Sequence, residues 1–137
     1  MSAAEQFFDT NVLIYLFSGD SSKADRAEDI LSKGGHIGVQ VLNEFASIAT
    51  RKLKMSHAEV REALKPIREV CTVTPLTEET HERGLQLAER YQLSIYDAMI
   101  AASALEARCK TLLSEDFQDG QVIDRTLRVR NPFVDRQ

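Results

Sequence analysis

Four acids stand where an ordinary fold could gather them: Asp9, Glu44, Asp97 and Asp116. Asp9 ends the short run Gln6-Phe7-Phe8, and Asp116 follows Leu112-Leu113 within Ser114-Glu115-Asp116. Asp97 opens an apolar stretch three residues after Ser94, and Glu44 lies in a periodic run after Ile37-Gly38-Val39. Carboxylates that converge without His or Cys suit a hard cation with oxygen ligands, Mg²⁺ or Mn²⁺ rather than Zn²⁺. Without a cation such a cluster repels itself and its pKa values rise. With one it can activate water, hold a phosphate oxygen and stabilise the leaving oxygen of an in-line displacement.

Each acid also has an ordinary structural role open to it. Asp9 can cap the helix that follows, and Asp97 with Ser94 can form a capping box. Glu44 shares a helical row with Gln40, Ser47 and Arg51, as on a solvated face, yet it borders Val41 and Ile48. Asp116 can be a turn acid, and Asp119, which precedes Gly120, reads first as one. Other chemistry finds less support. His36, His57 and His81 have no ligand spacing, and Gly34-Gly35-His36-Ile37-Gly38 follows a helix into a strand, the reverse of a phosphate loop. A nucleophilic G-x-S-x-G is missing, and neither Cys71 nor Cys109 has a plausible base beside it.

The elements that must position these acids follow from periodicity. Gln6-Phe7-Phe8 reads as a buried strand, and Val12 to Phe17, apolar all round, as an interior helix. After Gly19-Asp20, Ser22 opens an amphipathic helix that Gly34-Gly35 stops. Ile37-Gly38-Val39 makes a second strand, and Leu42, Phe45, Ala46, Ala49 and Leu53 form a helical stripe. Ser56 with Glu59 is a capping box for a helix that Pro66 should kink or end. Thr72-Val73-Thr74 is the third strand, and Thr77 caps a helix with Glu78 and Glu79 in its first turn. Ser94 opens a nearly all-apolar central helix to Leu105, Thr111-Leu112-Leu113 is a strand, and Leu127 and Val129 alternate with arginines like an edge strand. Helices alternating with about five short strands predict an α/β sandwich around a mostly parallel sheet, helices on both faces. Ligands of such sheets bind beyond the carboxyl ends of the strands.

The composition suits one compact domain over residues 1–137, 43% apolar and 28% charged, with no linker-like block or repeat. No apolar run approaches a membrane span, no signal peptide opens the chain, and two unpaired thiols among apolar neighbours point to the cytoplasm. The net charge of −4 does not itself suggest nucleic acid, whose affinity comes from clustered cations. Only Arg51, Lys52 and Lys54, and later Arg125, Arg128 and Arg130, offer local clusters; Arg51 and Lys52 suit backbone contacts or, equally, an ordinary solvated face. An acidic pocket that requires a cation before phosphate can approach fits that balance.

Four blocks in order resemble a PIN-domain nuclease, specifically the toxin of VapBC-type toxin–antitoxin pairs. They are Phe8-Asp9-Thr10-Asn11-Val12-Leu13, Leu42-Asn43-Glu44-Phe45, Ser94-Ile95-Tyr96-Asp97-Ala98-Met99-Ile100-Ala101-Ala102 and Leu113-Ser114-Glu115-Asp116-Phe117. The tail Leu127-Arg128-Val129-Arg130-Asn131-Pro132-Phe133 resembles the family's last strand, so the likeness runs from about residue 6 to 133. It implies a five-stranded parallel sheet and Mg²⁺- or Mn²⁺-dependent endoribonuclease activity, with Asp9 and Asp97 as principal metal ligands. Glu44 becomes a ligand or water-orienting acid, and Asp116 the fourth acid, although Glu115, Asp116 and Asp119 crowd one loop and could exchange roles. Thr10 and Ser114 match small hydroxyl positions that could orient the carboxylates, with Asn11 and Asp119 in support. The resemblance further implies a homodimer neutralised by a cognate antitoxin that sends a segment, often an Arg, into the acidic pocket. Two other readings compete: a Mg²⁺-binding phosphotransfer domain (a receiver or a phosphatase), and an inactive binding module of the same fold. Receivers want adjacent acids after the first strand and phosphatases Asp-x-Asp, where this chain has Asp9-Thr10-Asn11.

Overall fold

Alternation of helix and strand produces the expected sandwich, seen in a computed structural model that describes residues 5–134. The elements run β1 (Gln6–Phe8), α1 (Thr10–Tyr15), α2 (Ser21–Ser32), β2 (Gly35–Gly38), α3 (Val39–Arg51), α4 (His57–Val70), β3 (Cys71–Thr74), α5 (Glu78–Tyr91), α6 (Ile95–Glu106), β4 (Thr111–Leu113), β5 (Val122–Ile123) and β6 (Leu127–Arg130). They form one sheet in the order β3-β2-β1-β4-β6-β5, parallel throughout except for β5 against β6. Phe7 and Phe8 point to opposite sides of β1, and both are fully buried, so helices cover both faces.

The chain winds from β1 outward through β2 to β3, then returns to the other side of β1 as β4. The reversal puts a topological switch point between β1 and β4, where ligands of such sheets bind. Phe8 pairs with Leu113 in register, and the Asp9 N–H donates to the Leu113 carbonyl at 3.0 Å. The residues just beyond both strands therefore share one edge.

Several boundaries differ from the sequence expectation. Helix α1 begins at Thr10 and ends at Tyr15, because the Asp9 carboxylate accepts from the Thr10 N–H and starts the helix two residues early. Only Val12 and Leu13 of its expected interior run are fully buried, and Phe17 is 38% exposed. Asp20, not Ser22, caps α2, accepting from Lys23 N–H at 3.2 Å. Gly38 closes β2 as the N-cap of α3, so Val39 is helical.

Pro66 does not end its helix; α4 continues to Val70. Both Pro66 and Glu62, whose carbonyl loses its partner, lie on the exposed side, where water can satisfy the freed group. The sheet has six strands rather than five, because the two-residue β5 has no period to detect. It displaces β6 from the edge, so β6 lies between β4 and β5. Their hairpin turns on Asp124 and Arg125, at φ of +51° and +69°, without the Asn-Gly that signals such turns.

Candidate metal centre

Three of the four acids meet at the switch point. Asp9, Asp97 and Asp116 each offer a carboxylate oxygen, and these oxygens lie within 4.8 Å of one another. Asp9 arrives from the end of β1, Asp116 from the loop after β4, and Asp97 from the first turn of α6. The capping and clustering roles coincide rather than compete. Asp9 accepts from Thr10 N–H at 2.7 Å while facing the cluster, and Ser94 Oγ caps α6 by accepting from Asp97 N–H at 3.2 Å. That cap uses the backbone of Asp97 and leaves its carboxylate outside the capping box.

Asp9 is the anchor. It is 1% exposed, Ser114 Oγ donates to its Oδ2 at 2.5 Å, and Ser114 Oγ in turn accepts from Asp116 N–H at 3.0 Å. One hydroxyl thus fixes both strand-end acids. Thr10 contributes differently from expectation: its N–H holds Asp9, while its buried hydroxyl has no hydrogen-bond partner among the described residues. Asn11 Nδ2 donates to both Asp116 oxygens, at 3.1 and 3.0 Å.

The crowded loop after β4 separates its acids by partner. Glu115 accepts from Tyr15 Oη and lies 4.0 Å from Lys23 Nζ, so it is engaged away from the cluster. Asp119 sits in the turn closed by Gln121 N–H donating to the Gln118 carbonyl, and its Oδ1 accepts from Asn131 N–H beyond β6 at 2.9 Å. Asp116 remains for the site. Glu44 stands outside the three yet close enough to feel Asp97 and Asp116. Gln40 Nε2 donates to Glu44 Oε2 at 3.3 Å, a partner that the i,i+4 spacing of the helix could have revealed.

Burial pushes the Asp9 carboxyl from 3.8 up to about 7, against the Ser114 and Thr10 hydrogen bonds, with Asp116 and Asp97 adding repulsion. Burial likewise raises Glu44, Asp97 and Asp116; for Glu44 and Asp116 the charge of Asp97 adds to it. Among the described residues no Lys or Arg pairs with any of these acids. An all-oxygen donor set, uncompensated and partly desolvated, fits a hard divalent cation. The expected basic residues are scattered. Arg51 donates to Ser47 Oγ at 3.2 Å along α3, whereas Arg125 sits in the turn entering β6, at the opposite end of the sheet.

Cys71 and Cys109 are buried and unpaired, and burial raises both thiols, to about 11 and about 12, so neither is a nucleophile. No helix among the described residues is long and apolar enough to cross a membrane.

The PIN domain family model matches residues 7–119. A search of curated proteins finds no match. Among solved structures, the chain is similar to a toxin–antitoxin complex from Klebsiella pneumoniae, at 24% identity and a TM-score of 0.70, over 93% of this chain and 98% of that one. It is also similar to Mycobacterium tuberculosis VapC20, a sarcin–ricin loop cleaving toxin, at 18% identity and a TM-score of 0.66, over 81% and 91%. VapBC2 from Rickettsia felis, bound to a promoter DNA fragment, shares 17% identity at a TM-score of 0.63, over 92% and 98%. The likeness establishes a shared fold, and a family match of this extent leaves the receiver and phosphatase readings without support. The matched residues include all three acids at this sheet edge, and the chain belongs to the PIN domain family.

Proposed function

We propose that this chain is one nuclease domain, a Mg²⁺- or Mn²⁺-dependent endoribonuclease that hydrolyses RNA phosphodiester bonds as the toxin of a VapBC-type toxin–antitoxin pair. The convergence of Asp9, Asp97 and Asp116 without a countercharge carries the reading. The toxin assignment rests on the resemblance of the four sequence blocks, supported by similar solved structures described as toxins and toxin–antitoxin complexes. A cytoplasmic homodimer and a cognate antitoxin that fills the acidic pocket belong to the same proposal.

The three aspartates would hold the cation, which when bound supplies charge stabilisation at the phosphate and a more acidic water. The chain's own residues do the rest. Ser114 keeps Asp9 and the Asp116 backbone in fixed relation, and Asn11 orients the Asp116 carboxylate. Gln40 occupies Glu44 Oε2, leaving Oε1 to orient the attacking water and accept its proton.

The test incubates antitoxin-free protein with total cellular RNA in Mg²⁺, in Mn²⁺ and in EDTA, beside Asp97→Asn. Discrete cleavage that needs metal and disappears in the variant is the expected result. Identical patterns from both proteins with and without metal would overturn the carboxylate mechanism. No cleavage in any arm would favour an inactive binding module.

A further inference from the structure

Beside the acidic cluster, at Glu44, whose carboxyl feels the charges of Asp97 and Asp116, lies a groove of about 360 Å³ lined by Gln40, Asn43, Glu44, Ser47 and Tyr96. The first four lie on one side of α3, spaced so that they share a face. Tyr96 stands opposite them in the first turn of α6, immediately before Asp97, and is 63% exposed. Among the described residues it is the most exposed of the large apolar and aromatic side chains, with Ile95 beside it at 47%.

A ring held out at the mouth of a hydrolytic site needs a reason, since its exposure forgoes the burial that aromatic side chains normally obtain. Amides at Gln40 and Asn43 and the Ser47 hydroxyl offer both donors and acceptors. That combination matches an unpaired nucleobase: a π-face to stack on and polar edges to read. The charge balance points the same way. With a net charge of −4, the chain lacks the cationic surface that normally carries nucleic-acid affinity. Contacts to bases are independent of that deficit. Arg51 is tied to Ser47 Oγ at the outer end of the face.

We propose that the groove between α3 and the first turn of α6 is a subsite for a single unpaired nucleotide adjoining the scissile phosphate, with Tyr96 as its stacking platform. The inference rests on the ribonuclease reading above and adds to it a base-stacking contact at Tyr96 that sets affinity for the strand.

The chain contains no tryptophan, so Tyr96→Trp places a single indole in the groove as a fluorescent reporter. Binding of a short single-stranded RNA is measured with Mg²⁺ in an Asp116→Asn background, for Tyr96 and for its Ala, Phe and Trp replacements. The expected results are a loss of about fivefold to a hundredfold in affinity for Ala, retention for Phe and Trp, and quenching of the indole emission in Tyr96→Trp. The same strand annealed into a duplex should quench less. In the background with Asp116 intact, Tyr96→Ala should raise KM for RNA while the metal concentration needed for half activity stays the same. Unchanged binding by the Ala variant, or RNA bound without quenching, overturns the subsite and leaves the ribonuclease intact. Indole emission that responds to protein concentration instead, with Tyr96→Ala altering the sedimenting mass, overturns it in favour of a subunit contact. If no version binds or cuts RNA in either metal, the ribonuclease reading fails and the subsite with it.

Discussion

Two groups of acids in this molecule are treated in opposite ways. Asp124, in the turn between β5 and β6, lies 3.1 Å from Arg83 and 3.8 Å from Arg90, and its N–H donates to Tyr91 Oη at 2.8 Å. Those contacts from α5 hold a non-glycine residue in the left-handed region. At the other end of the sheet, Asp9, Asp97 and Asp116 face one another with only hydroxyl, amide and backbone donors around them. The fold answers Asp124 with two cations and, among the described residues, pairs none with the three clustered aspartates. Glu115 sharpens the point. One residue from Asp116, it has Lys23 and Tyr15 to answer it and is turned away from the cluster.

The contrast can be broken in graded ways. The largest effect is expected from Asp9→Asn or Asp97→Asn, with metal-dependent RNA cleavage falling by more than about a hundredfold in a single-turnover assay. Next comes stability without metal. Asp9 has a raised folded-state pKa, so the folded state binds more protons between 3.8 and about 7. Its contribution to stability is therefore greatest below that window and declines as pH rises through it, by on the order of 4 kcal/mol. Thermal melts in EDTA should show this slope as the difference between the unsubstituted protein and Asp9→Asn, and Mg²⁺ should restore stability at neutral pH. A difference with the opposite slope would mean that Asp9 is not desolvated as its burial indicates.

Ser114→Ala ranks third. Metal affinity should fall about 10- to 100-fold by calorimetric titration, with about 1–3 kcal/mol of stability lost, because Asp9 and Asp116 N–H each lose a buried partner. The smallest effect belongs to the charge-balanced group. Arg83→Met should cost about 1 kcal/mol or less in a denaturant melt, since the pair is more than a third exposed, and should leave metal affinity unchanged. Weakened metal binding in that variant would show that the two regions are coupled rather than separate.

Much of this was legible because local rules are strong at these positions. Ser94, three residues before Asp97, fixes where α6 begins, and an acid directly before an apolar helical run marks the strand-to-helix step at α1. Parallel strands then place Asp9 and Asp116 at one edge. The choice among Glu115, Asp116 and Asp119 was not legible, because it depends on Tyr15, Lys23, Asn11 and Asn131, none of them local to that loop. The same holds for β5, which exists only through its pairing with β6 and the grip of α5 on the turn. That α4 runs on past Pro66 has a related reason: a helix continues through a proline when the orphaned carbonyl faces water, and burial decides that.

By itself the sequence determined most of the helices and strands, that the sheet is largely parallel, and that Asp9 and an acid of the loop after β4 share its carboxyl edge. Caps and hydrophobic periods act over a few residues, and those are what it encodes most directly. Only the tertiary structure decided which acids meet, which are neutralised and which ring is left exposed beside them. Desolvation, charge pairing and cavity shape belong to residues far apart in the chain, and they take their values only once it has folded.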